Sequence, residues 1–175
     1  REEEELKRRN KDHNRRHRED TKRIAEDVDR KLREWKKKSD EAREEVKRLL
    51  ERLKELADRN EVEEREVERL LKELRDRVKE LKEESDRDLE RLRRTVEELL
   101  KKLDKNLKES EDELRKKPES EDLRRLMKEN RETIRESAEI LERLRERVED
   151  LVRRDREILE KLLRDIEELA ERIKR

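Results

Sequence analysis

Apolar residues return along most of this chain in alternating steps of three and four. The first segment carries Ile24, Val28, Leu32 and Trp35, then Ala42, Val46, Leu49, Leu53 and Leu56. The second carries Val67, Leu70, Leu74, Val78 and Leu81, then Leu89, Leu92, Val96, Leu99 and Leu103. The third runs Leu123, Leu126, Ile134, Leu141, Leu144, Val148 and Leu151, then Ile158, Leu162, Ile166, Leu169 and Ile173. A mean repeat of about 3.5 keeps one stripe of a helix facing its neighbours, which is the seam of a coiled coil. Doubled positions (Leu49-Leu50, Leu70-Leu71, Leu99-Leu100, Leu162-Leu163) widen that stripe, as contact with two partner helices requires.

Two places interrupt the pattern. In "LADRNEVEE", Asn60 can cap a following helix with Glu63 completing a capping box, and Asp58 or Asn60 can take the left-handed conformation that glycine normally supplies. In "RKKPESEDL", Pro118 withholds a helical donor and Ser120 is a good N-cap, so either Pro118 starts the third helix or Ser120 caps it. The predicted helices are therefore about 2–58, 61–116 and 120–174, each about 55 residues or ~80 Å long. Each begins acidic, and the second and third end basic ("LRKK", "RIKR"), which complements the helix dipole. Equal lengths and short turns predict one all-α domain over residues 1–175, a long antiparallel (up-down-up) three-helix coiled-coil bundle.

One stretch, Arg8 to Arg23 ("RRNKDHNRRHREDTKR"), contains no apolar residue. Projected back from Ile24 by threes and fours, the core stripe falls on Thr21, His17, His13, Asn10 and Leu6. Polar residues also stand in the stripe at Ser39, at Ser85, Asn106 and Ser110, and at Asn130, Ser137 and Asp155, with Thr95 and Thr133 at its edge. Facing residues should sum to about 118 across the first turn and about 236 across the second. That places Asn106 beside His13 and opposite Asn130, Asn10 near Ser110, Thr21 and Ser137 in neighbouring layers, and Ser39 level with Asp155. Ser85 falls within a turn of Trp35, whose indole N–H needs an acceptor when buried. The expected role is specificity, because an unpaired buried polar group costs about 1–3 kcal/mol and penalises every register that breaks the pairing.

Composition narrows the function. Of 175 residues 64% are charged, with 56 basic and 56 acidic side chains, so neutrality removes the self-repulsion that would hold so polar a chain open. The absence of glycine excludes the glycine-rich phosphate and dinucleotide loops, and the absence of cysteine excludes thiolate chemistry and disulfides. No run approaches the ~18 apolar residues of a membrane span, and "REEEEL" does not read as a signal peptide. A soluble protein without a targeting signal is expected. A three-helix core of about 16 layers needs about 48 inward positions. The 27% hydrophobic content of 175 residues, about 47 in all, is spent on it. A monomer is therefore expected, with a homo-oligomer through the doubled leucines as the alternative.

Equal helices, the turns "DRNE" and "KKPESEDL", a surface saturated with Glu, Lys and Arg, and polar residues in matching layers resemble de novo designed helical bundles with buried hydrogen-bond networks. The resemblance covers the whole chain and implies a scaffold or test of design, with no natural activity, cofactor or required partner. It departs from the style in the polarity of the first helix's opening third. Spectrin-like three-helix repeats are the nearest natural analogue, but their extra aromatics are missing.

His13 and His17 stand at i and i+4, a spacing that can chelate a metal, with Asp104 or Asn106 as the nearest third ligand; a structural site wants three or four ligands, so a polar layer is expected there and no metal. Two neutral imidazoles in such a layer predict weakening of this end toward acid, which makes a pH- or partner-responsive module the alternative function. The basic run from Lys7 to Arg18 is preceded by "EEEE", followed by Glu19-Asp20 and lacks stacking aromatics, so no nucleic-acid partner is expected. Its opposite face has too little apolar area for a membrane surface. No carboxylate is set apart as an acid, base or nucleophile partner, and no enzyme activity is expected. Asp155, the one acid on the stripe, should accept from Ser39 or sit beside Arg154.

Overall fold

The structure, a computed structural model, describes residues 1–59 and 63–174. These residues form three α-helices that pack together, α1 Glu2–Asp58, α2 Glu64–Leu114 and α3 Glu121–Lys174, with no strand among them. Glu, Lys, Arg and Leu favour helix, and no helix interior holds a glycine or proline to interrupt the ladder. Acidic residues open each helix, and Arg172 and Lys174 close α3, as the helix dipole favours. The second helix ends earlier than expected, so Arg115, Lys116 and Lys117 fall beyond it.

The second turn is built without glycine. Lys116 N–H donates to Glu113 O at 3.4 Å and Lys117 N–H to Leu114 O at 3.3 Å, so tight i to i+3 bonds close α2. No non-glycine residue among those described takes a positive φ. Of the two sequence alternatives for the start of α3, Ser120 is the cap: its Oγ accepts the Leu123 N–H at 3.4 Å. Its own hydroxyl proton goes to Glu3 Oε1, which ties the start of α3 to the first turn of α1. At the other turn, Asp58 closes α1 as a helical residue and does not take the left-handed role. Asn60, the expected cap, and residue 61, the expected start of the second helix, lie outside the described residues.

The helices are divided between two compact units. One comprises Arg1–Lys31 and Arg91–Arg147. Its apolar end is built on Leu114, Leu123 and Leu126, with Leu6 and Met127 packed against them. Val28, Val96, Leu100, Leu107 and Leu144 are also buried in this unit. The other unit comprises Leu32–Glu90 and Val148–Arg175. Its core joins Val46, Leu50 and Leu53 to Val67, Leu70, Leu74 and Val78, and to Leu159, Leu162, Ile166 and Leu169. Of the doubled leucines, Leu70 and Leu71 are both buried, whereas Leu99 and Leu163 are exposed.

Surface charges are paired along and across helices. Lys7 Nζ donates to Asp122 Oδ2 at 2.7 Å in the first unit. Arg75 grips both oxygens of Glu167 at 2.6 and 2.8 Å in the second. The Lys7 hydrogen bond, assisted by its charge, holds the Asp122 carboxyl below the usual carboxylate range, and Arg75 does the same to Glu167. A carboxyl depressed in the folded state contributes stability above its unfolded value, and that stability is lost as pH falls through the folded one. Acidification below about pH 4 therefore loosens both ties. In an NMR carboxyl titration, Lys7→Gln should raise the Asp122 midpoint and leave Glu167 in place, while Arg75→Gln does the reverse. An Asp122 midpoint that ignores Lys7→Gln would refute the assignment.

Candidate functional site

The polar stretch that opens α1 enters two hydrogen-bonded layers in the first unit. Asn10 is 1% exposed and Asn130 is fully buried. Their amides pair reciprocally: Asn130 Nδ2 donates to Asn10 Oδ1 at 2.7 Å, and Asn10 Nδ2 to Asn130 Oδ1 at 3.2 Å. Ser110 donates to the same Asn10 oxygen at 3.3 Å, so α1, α2 and α3 all enter one layer. One turn on, Asn14 Nδ2 donates to Asn130 Oδ1 at 2.9 Å and to Thr133 Oγ1 at 3.0 Å. The Thr133 hydroxyl also accepts from Arg18 Nε at 3.1 Å. Its one proton is shared between Glu129 O and Asn14 Oδ1.

The next layer centres on His17, buried at 3% exposure. Its Nε2 lies 2.8 Å from Asp104 Oδ1, and Ser137 Oγ donates to that same oxygen at 2.9 Å. Thr21 Oγ1 donates to the His17 carbonyl at 2.7 Å and lies 3.4 Å from Nδ1. Hydroxyl, imidazole and carboxylate are thus in contact, but neither hydroxyl is placed to act as a nucleophile with the imidazole as its base. The carboxylate stands between His17 and Ser137, so the ring does not face the serine. Thr21 does face the ring, yet it is buried and commits its proton to a backbone carbonyl. What the layer does is tie α1, α2 and α3 together through the Asp104 carboxylate.

In the second unit the buried acid is Asp155, whose side chain is 4% exposed. Its Oδ1 accepts from Ser39 at 3.1 Å and from Arg43 Nη1 at 3.3 Å. Arg43, 12% exposed, is also held by Asp40 on its outer side. The partner is thus Arg43 rather than Arg154, which is exposed. Ser85 is buried on α2.

Two of the polar residues assigned to the buried stripe do not lie there. His13 and Asn106 are exposed and line an open groove of about 440 Å³ between α1 and α2. The stripe steps back from His17 by three to Asn14 and then by four to Asn10, the reverse of the order assumed. On α2 it passes from Leu103 to Leu107 and Ser110, skipping Asn106. Asn130 accordingly meets Asn10 and Asn14 rather than Asn106. His17 binds Asp104 without His13 beside it, and among the described residues no three His, Cys, Asp or Glu are grouped to hold a metal ion.

Several members of the networks were not anticipated as such. The stripe gives no place to Asn14 or Arg43, offers Asp104 only as a metal ligand, and sets Thr133 at its edge. The signal for Asn14 was present: a helix-weakening amide in mid-helix, amid strong formers, calls for a partner. Glu111 was also missed. It is 5% exposed, and its Oε1 lies 3.9 and 3.8 Å from the Arg115 and Arg131 guanidinium groups, within reach of their charge but beyond hydrogen-bond distance.

Among the described residues no helix is long and apolar enough to cross a membrane. No family model, curated protein or solved structure matches the chain.

Proposed function

We propose that this chain is a structural protein of the de novo designed helical-bundle kind, a monomeric scaffold whose buried polar layers select one register of its helices. In this reading it has no catalytic step, cofactor or obligatory partner. The observation that carries it is the reciprocal Asn10–Asn130 pair. Sliding α1 along α3 by one turn would set Asn10 level with Leu126 and pass Asn130 to Asn14, or set Asn10 level with Ile134 and Asn130 level with Leu6, so each slide faces at least one of the two amides with an apolar side chain. Each unpaired group costs about 1–3 kcal/mol, whereas an all-leucine seam tolerates such a slide. The Ser39–Asp155–Arg43 cluster supplies the same kind of constraint in the second unit.

The test compares the parent chain with one carrying Asn10→Leu, Asn14→Leu, Asn130→Leu and Thr133→Val. Spin labels on cysteines placed at the exposed Lys11 and Lys128 report the α1–α3 alignment, and the absence of native cysteine keeps the labelling specific. The parent should give one narrow distance distribution and a monomeric mass by light scattering. The apolar variant should stay helical but give a broadened or split distribution, or associate. A single, equally narrow distribution and a monomeric mass in that variant would remove the register role.

A further inference from the structure

His17 is enclosed by its layer yet stands where two grooves meet. The α1–α2 groove described above reaches the ring from one side. A second, of about 260 Å³ between α1 and α3, reaches it from the other. Water can therefore deliver a proton to a ring that is itself buried. Two neutral imidazoles in this layer would predict opening in acid, but one is at the surface and the other rests on a carboxylate.

The neighbourhood has a place for a second ring proton. In the neutral ring, Nε2–H donates to Asp104 and Nδ1 faces the Thr21 hydroxyl. Because Thr21 gives its own proton to the His17 carbonyl, its oxygen keeps a lone pair toward Nδ1. A second ring proton at Nδ1 thus finds an acceptor already in place, and Asp104 supplies the opposite charge at 2.8 Å. The Asp104 side chain is 24% exposed and reaches solvent. The other charged groups facing this site line the two grooves. Arg16, Asp20 and His13 of α1 and Glu109 and Glu113 of α2 line the first groove. Arg18 and Lys22 of α1 and Glu136 of α3 line the second. Arg16 is engaged by Asp12, Asp20 by Arg23, and Arg18 by Thr133.

We propose that Asp104 is a built-in counter-charge for His17, which lets the layer take up a proton in mild acid without opening. The role is independent of whether the layers set the register. It makes a definite prediction for the carboxamide at this position. Asp104→Asn preserves size and can still accept from the ring, but it cannot balance the imidazolium, so the layer becomes an acid-triggered opening.

The experiment is amide hydrogen exchange over residues 13–25, corrected for intrinsic rates, at about pH 7.5 and 5.5, which bracket the ordinary imidazole range. Protection in the parent should change by less than about twofold, whereas in Asp104→Asn it should fall about tenfold or more as opening becomes coupled to uptake of one proton. His17→Asn combined with Asp104→Asn should restore pH independence. Loss of protection in the parent, or a pH-independent Asp104→Asn, overturns the proposal. Should Asp104→Asn fail to fold at pH 7.5, ¹⁵N ring shifts of His17 in the parent decide. A ring protonated at pH 5.5 with amide protection intact supports the counter-charge, and a ring still neutral there refutes it.

Discussion

Arg43→Ala should lower the unfolding free energy by about 3–5 kcal/mol, the range found when one partner of a buried ion pair is removed. The reason lies with what remains. Asp155 is almost wholly enclosed, and without Arg43 its carboxylate keeps one hydroxyl, that of Ser39, against the cost of desolvating a full charge. Arg75→Ala is the matched control. Its pair with Glu167 has better geometry, but the side chains are 43% and 49% exposed, so loss should cost below about 1 kcal/mol. Trp35, the single tryptophan, belongs to the same unit as Asp155 and reports its unfolding by fluorescence in urea. Replacing the cluster together (Ser39→Ala, Arg43→Leu, Asp155→Leu) should recover most of the loss, because no orphaned charge is left. If Arg43→Ala costs no more than Arg75→Ala, Asp155 is not held as a buried charge.

How far such sites could be read in advance depended on the local anchor. Where leucines and valines bracket a polar residue, as Ala42 and Val46 follow Ser39, the period fixes its facing, and Ser39 and Asp155 could be set level from sequence. Three helices and their approximate bounds followed from the same stripe, since few alternatives bury it. Between Leu6 and Ile24 there is no apolar residue to fix the phase. A mean step of 3.5 admits three-then-four as readily as four-then-three, so His13 and Asn14 compete for one position in the pattern, and only the packed helices give it to Asn14. Asn106, next to Leu107, was subject to the same ambiguity. Arg43 was hidden for another reason: its long stem carries the charge inward from a flanking position, and 56 basic residues offer no contrast against which to notice it. Glu111, buried between two arginines, is concealed in the same way by the acidic majority around it.

The Asn10–Asn130 pair allows a sharper test, because its members fail differently alone and together. Asn130→Leu removes the acceptor of Asn10 Nδ2, while Asn10 Oδ1 keeps Ser110 and Asn14 keeps Thr133. One buried donor is orphaned, which should cost about 1–3 kcal/mol. Asn10→Leu orphans Asn130 Nδ2 instead and also deprives Ser110 of its acceptor, so it should cost at least as much. In Asn10→Leu with Asn130→Leu both orphaned amides are gone and two leucines face each other, so the double variant should be more stable than either single one. The non-additivity should be about 1–3 kcal/mol, as for groups sharing one network. Chemical denaturation followed by hydrogen exchange across residues 8–23 and 126–137 measures it within this unit. Losses that simply add would mean that water already satisfies these amides in the folded chain. In that case Asn10 and Asn130 would be neighbours in a hydrated layer, with no mutual bond to penalise a wrong register.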